Sequence, residues 1–183
     1  MAELLDLERF RRKLAADQGF HTWLARFHEQ FGPDTRLQDL SPSTLLTLAS
    51  PGEETLYIYF DLIMGIRRLG GSLRFRLDDL EVPTKLKIMD TAFALMDHVR
   101  FEVMRRLGWV EGGFHEDIPI VDLVQRAWTQ TAAFSRELPR LAAEHPDYEQ
   151  YRKLNSRDRI TFIRRLIPRA VEAFRHNQEP APA

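Results

Sequence analysis

Apolar residues three or four positions apart recur along most of the chain, and the breakers between these runs predict its elements. Leu4, Leu7, Phe10 and Leu14 form one helical face, which Asp17-Gln18-Gly19 interrupts. Phe20, Trp23, Leu24, Phe27 and Phe31 then make a wide aromatic stripe, closed by Gly32-Pro33-Asp34. Ser41-Pro42 reads as an N-cap followed by proline at the first helical position, opening a short helix to Ala49. Ser50-Pro51-Gly52-Glu53 repeats that device, with Glu53 placed to close a capping box.

The helix opened there, residues 53–69, is apolar nearly all round: Leu56, Tyr57, Ile58, Tyr59, Phe60, Leu62, Ile63, Met64 and Ile66 predict the central buried helix. Gly70-Gly71 stops it. Leu73-Arg74-Phe75-Arg76-Leu77 alternates with period two, so residues 73–77 are expected to be one short extended segment. Pro83 opens a helix to Leu107, whose core face reads Met89, Ala92, Phe93, Met96, Val99, Val103 and Leu107. A turn from Trp109 to Gly113 leads to a helix or kinked pair over 118–143, with Pro139 as the expected kink. His145-Pro146-Asp147 breaks the pattern before a short helix at 147–154. Asn155-Ser156 caps a last helix to His176, with Ile160, Ile163, Ile167, Ala170, Val171 and Phe174 as its apolar stripe and Pro168 as a bend.

These runs predict an all-α fold, an array of six or seven helices around helix 53–69, with residues 1–176 as a single domain and 177–183 as a disordered tail. At 183 residues and 44% apolar content the chain can fill one hydrophobic core. The most apolar window, Leu56 to Leu69, is too short to span a bilayer, and Asp6 and Glu8 break any secretory signal, so a cytoplasmic location without membrane contact is expected.

Charge and missing residue types narrow the chemistry. A net charge of −1 supplies no global field for nucleic acid or anionic lipid. The chain has no cysteine, which removes disulfides, thiol nucleophiles, iron–sulfur clusters and cysteine-ligated zinc. No phosphate loop, dinucleotide fingerprint, Gly-x-Ser-x-Gly elbow or His-Glu-x-x-His motif occurs. No histidine follows a glutamate by three residues, which excludes the usual helical di-iron pair. No metal and no cofactor is expected.

Asp61 stands inside the apolar helix 53–69, in register with Glu54 and Arg68, while Gly65 opens space one turn on. A carboxylate there must be paired, hydrogen-bonded or protonated. It is either a binding group facing a pocket or half of an ion pair with an arginine from another helix. Asp90 and Asp97 border the next long helix's apolar stripe, about 10.5 Å apart along the axis; Asp97 also reaches Arg100. Asp61, Arg68, Asp90 and Asp97 are therefore the candidate ligand-binding residues, in a pocket between helices 53–69 and 83–107. His98 with Glu102, read on the polar side of that helix, and Asp17 with His21 each have metal-ligand spacing, but two ligands make no site. His21 and His28 flank the aromatic stripe too far apart for one ion. His115-Glu116-Asp117 suits a helix start.

The second half of the chain is polarised. Glu111 to Glu149 carries eight acids against three bases, and Arg152 to His176 eight bases against two acids. Arg157, Arg164 and Arg175 share one flank of the last helix and are the candidate partner-binding residues. With no aromatic interleaved among them and an acidic segment adjoining, that helix is expected to dock on the fold and not to bind nucleic acid. Two function classes remain. One is a non-catalytic interaction or regulatory protein, a homo-oligomer or a binder of another protein, in which segment 73–77 pairs across a dimer axis. The other is a small-molecule-binding protein or enzyme using Asp61, Asp97 and Arg68.

Overall fold

The structure, a computed structural model, describes residues 2–69, 79–112, 117–134 and 137–178. Among these, eight α-helices run in the order α1 (Ala2–Gly19), α2 (His21–Phe27), α3 (Pro42–Ala49), α4 (Glu53–Arg67), α5 (Val82–Arg106), α6 (Ile120–Phe134), α7 (Tyr148–Arg152) and α8 (Ser156–Gln178). A 3-10 turn, Leu37–Asp39, precedes α3. The fold is all-α apart from one small antiparallel pair, β1 (Val110–Glu111) with β2 (Arg140–Leu141), registered Val110 to Leu141. The expected extended segment 73–77, the Gly70-Gly71 stop, His115-Glu116 and residues 179–183 of the expected tail lie outside the described residues.

Local chemistry sets most helix ends. Ser41 accepts the Thr44 N–H at 3.1 Å ahead of Pro42, as an N-cap should. Asn155 does the same for α8, its Oδ1 accepting the Asp158 N–H at 3.0 Å. Ser50 does not open α4. It closes α3, its hydroxyl donating back to the Leu46 carbonyl at 2.7 Å, and Gly52 at φ 142° is the residue before α4. Glu53 and Glu54 in the first turn answer the positive end of the dipole instead of a capping box. α2 stops at His28, which takes the left-handed conformation at φ 56°, earlier than Gly32-Pro33 suggests.

Two helices share the centre. α4 buries Ile58, Tyr59, Phe60, Leu62, Ile63, Met64 and Ile66 against α1, α2 and α5, but leaves an exposed edge at Glu54, Tyr57, Asp61 and Arg68. α5 runs through the middle, touching α3, α4, α6 and α8. Its buried set from residue 88 onward includes Ile88, Ala92, Leu95, Met96, Val99, Phe101, Val103 and Met104. Met89 and Phe93, expected in its core face, are exposed instead.

Close approach of α1 to α4 requires glycine on both sides. A Cβ on Gly65 would stand 2.5 Å from the Gln18 carbonyl oxygen, and one on Gly19 would meet Ile66 at 2.4 Å. The space that Gly65 leaves is thus filled by the backbone of α1. Aromatic rings hold α2 in place: Phe31 stacks on Phe20 at 5.3 Å and meets Trp23 edge-on at 5.5 Å, and Trp23 donates to the Ile58 carbonyl at 3.2 Å.

The long predicted segment after residue 118 breaks at Gln130 (φ −136°, ψ 40°), not at Pro139, which precedes β2. α8 buries Ile163, Leu166, Ile167, Ala170, Val171 and Phe174 against α5 and α3 and continues through Pro168.

Candidate functional groove

A groove of about 520 Å³ opens where α8 crosses α3 and α5. Ala49, Pro51, Ile167, Pro168 and Val171 form its apolar lining, and Asp97, Arg100, Arg164, Glu172 and Arg175 its charges. Helical spacing produces both sets. On α8, Arg164, the pair Ile167-Pro168, the pair Val171-Glu172 and Arg175 recur every three or four residues, so they share a face. On α5, Asp97 and Arg100 do likewise. Pro168 has no N–H for the Arg164 carbonyl, which therefore lacks its usual donor within the helix.

The charges are mostly paired. Arg164 Nε donates to Asp97 Oδ2 at 3.1 Å, and Arg175 bonds Glu172 one turn back on α8. Arg100 is different. Its Nε donates to the Ala49 carbonyl at 3.1 Å, the open negative end of α3, and it makes no other hydrogen bond or ion pair with a described residue. Burial pushes the Asp97 carboxyl above the usual carboxylate range, against the pull of Arg164 and Arg100. Behind them Tyr59 is fully buried and donates to the Leu48 carbonyl at 2.9 Å. Burial raises its phenol far above the ordinary value, Arg100 lowering and Asp97 raising it further, so it stays neutral.

This arrangement regroups the residues singled out from sequence. Asp97 joins Arg164 and Arg175, which the sequence assigns to a separate, partner-binding surface. Arg157 is exposed and does not line the groove. Asp61, Arg68 and Asp90 are exposed on α4 and α5, and none of them lines it either. Arg68 is the left-handed residue that ends α4 at φ 54°. No ion pair reaches Asp61 among the described residues, which corrects the ion-pair alternative; partial desolvation raises its carboxyl above the usual range, with Arg26 pulling the other way. Arg26 itself pairs with Glu54 at 2.7 Å. Of the ten lining residues only Asp97, Arg164 and Arg175 stand among the candidates drawn from sequence; Ala49, Pro51, Arg100, Ile167, Pro168, Val171 and Glu172 do not. The one available signal was the Asp97–Arg100 spacing on α5.

His98 and Glu102 sit inside the fold, not on a polar face, at 1% and 0% exposure. Glu102 accepts two bonds from Arg105, both at 2.7 Å, and one from Arg106 at 2.8 Å. Arg106 also donates to the carbonyls of Leu37, Gln38 and Leu40, so the network ties α5 to the 3-10 turn. His98 stacks on Phe134 at 4.0 Å with Nδ1 against the Ala94 carbonyl. Asp17, His21 and His28 are exposed, and among the described residues no three His, Asp or Glu side chains gather as metal ligands would. No described helix is long and apolar enough to cross a membrane.

No protein family, curated protein or solved structure compared with the chain matches it.

Proposed function

We propose that the protein binds a small amphipathic molecule in the groove between α3, α5 and α8. The observation that carries this reading is the pairing of an apolar wall with an arginine whose outer nitrogens have no protein partner among the described residues. Binding sites for small molecules are typically clefts of about 300–1,000 Å³ lined mainly by apolar groups with a few polar ones. The groove fits that description in size and in lining. It takes over the small-molecule alternative read from the sequence, moved from the α4–α5 boundary to the α8 side of α5, with Asp97 kept and Arg100 added.

The test is a fluorescence titration with Nile red, a neutral apolar dye. Saturable enhancement that drops in Pro51→Trp, which fills the mouth of the groove from an exposed position, is expected. A dye response that is unsaturable, or equal in the variant, overturns the proposal.

A second reading, self-association, rests on another observation. Val82, Leu86, Met89 and Phe93 are exposed at 65%, 56%, 37% and 49% and follow one another along α5 at spacings of four, three and four. Such a stripe costs free energy in water, about 25 cal/mol for each Å². Read as heptad positions d, a, d, a, it places Lys85 at g and Asp90 at e, so a parallel second copy sets opposite charges beside the seam. Sedimentation equilibrium should give a dimer that Leu86→Glu dissociates; a monomer at all concentrations removes this reading.

A further inference from the structure

We infer that the ligand of the groove is an alkyl monocarboxylate, its carboxylate held end-on by Arg100 and its chain laid along Ile167, Pro168 and Val171; the inference rests on the small-molecule reading above. Five charged side chains line the groove, three arginines and two acids. Asp97 is bonded by Arg164 and Glu172 by Arg175, which leaves one positive charge over, on Arg100.

The geometry of Arg100 selects the head group. Its Nε is committed to the Ala49 carbonyl at 3.1 Å, which anchors the guanidinium by one edge. The opposite end, Nη1 and Nη2, is a planar pair of donors that matches the two oxygens of a carboxylate bidentately. The groove's net charge selects the valence. A monocarboxylate neutralises the surplus charge, whereas a phosphate monoester carries about −1.5 to −2 at neutral pH and sets unmatched negative charge near Asp97 and Glu172. A cationic head group meets Arg100 with like charge, and a neutral one leaves the guanidinium end without an acceptor.

The walls select the rest of the molecule. Ile167, Pro168 and Val171 on α8 face Ala49 and Pro51 across the groove, and none of these side chains offers a hydrogen bond. A chain of methylenes gains about 0.8 kcal/mol for each one buried. A polar tail gains nothing there and loses its water.

The experiment compares octanoate, octanol, octylamine and octyl phosphate by isothermal titration on the full chain, with Arg100→Gln run in parallel. Octanoate is expected to bind at least about tenfold more tightly than octanol, the usual worth of one charge-assisted bond. Arg100→Gln should erase that advantage and leave octanol unchanged. Equal affinity for octanoate and octanol overturns the carboxylate inference while leaving the groove as a binding site. Tighter binding of octyl phosphate overturns the single-charge argument. Failure of all four to bind overturns the small-molecule reading and this inference with it. Arg100 also caps α3, so a thermal midpoint accompanies the variant; if it unfolds, the head-group series on the unaltered protein decides alone.

Discussion

Arg164 of α8 donates through Nε to the carboxylate of Asp97 on α5, 3.1 Å away. That bond joins a residue of the candidate ligand-binding set to one of the candidate partner-binding set, and it forms one wall of the groove. The pair is only partly shielded, with the Asp97 side chain 22% exposed and Arg164 40%. Its weight lies in placing the two helices and in neutralising Asp97, so that Arg100 is left as the unmatched charge.

Asp97→Asn tests the electrostatics of that wall. Burial raises the Asp97 carboxyl in the folded protein above its ordinary value, Arg164 and Arg100 notwithstanding. The folded chain therefore holds this proton to higher pH than the unfolded chain does. Stability is lost as pH rises from the ordinary carboxylate value through the raised one, and is restored on acidification. Asparagine cannot ionise, so Asp97→Asn should gain stability relative to the unaltered protein between pH 3 and pH 7. Urea midpoints at both pH values measure this. A relative loss at pH 7 would mean that the bond to Arg164 outweighs burial.

Glu102→Ala should be among the most damaging single changes. The carboxylate is fully buried and receives three arginine bonds, so its removal takes away the acceptor that Arg105 and Arg106 share. Breaking a buried ionic network costs about 3–5 kcal/mol. Urea denaturation measures it, and a loss below about 1 kcal/mol would mean that the pairing behaves as a surface one.

Gly65→Ala addresses the crossing of α1 and α4. The added methyl would lie 2.5 Å from the Gln18 carbonyl and 2.8 Å from the Gly19 Cα, both backbone atoms that cannot rotate away. Overpacking of this kind costs about 1–3 kcal/mol, which offsets alanine's better helix propensity. A thermal midpoint equal to or above that of the unaltered protein would place α1 farther from α4.

Ile63→Ala removes methylenes from a side chain at 0% exposure on α4. The expected loss is about 2–5 kcal/mol, set by how far the surrounding side chains collapse into the void. An unchanged denaturation midpoint would displace α4 from the core.

Spacing and breakers along the chain already set the helical class, most helix starts and the inward face of α8. These depend on residues within a turn or two of one another: Ser41 with Thr44, Asn155 with Asp158, Ile163 with Ile167, and Ile167 with Phe174. Local spacing carries no record of which neighbour covers a helix, and there the reading of α5 failed. Its wheel gives the angle between Met89 and Glu102 but not which arc meets protein. Met89 and Phe93 come early in the helix and face water; His98 and Glu102 come later, where the rest of the fold closes over them. The three arginine bonds that make Glu102 tolerable inside need Arg105 and Arg106 next to it on α5, yet Arg106 is itself placed by carbonyls of the distant 3-10 turn. The groove is also a tertiary product. Ala49, Arg100 and Ile167 are remote in sequence, and only the crossing of α8 over α3 and α5 brings an open helix end, an unmatched guanidinium and an apolar wall together.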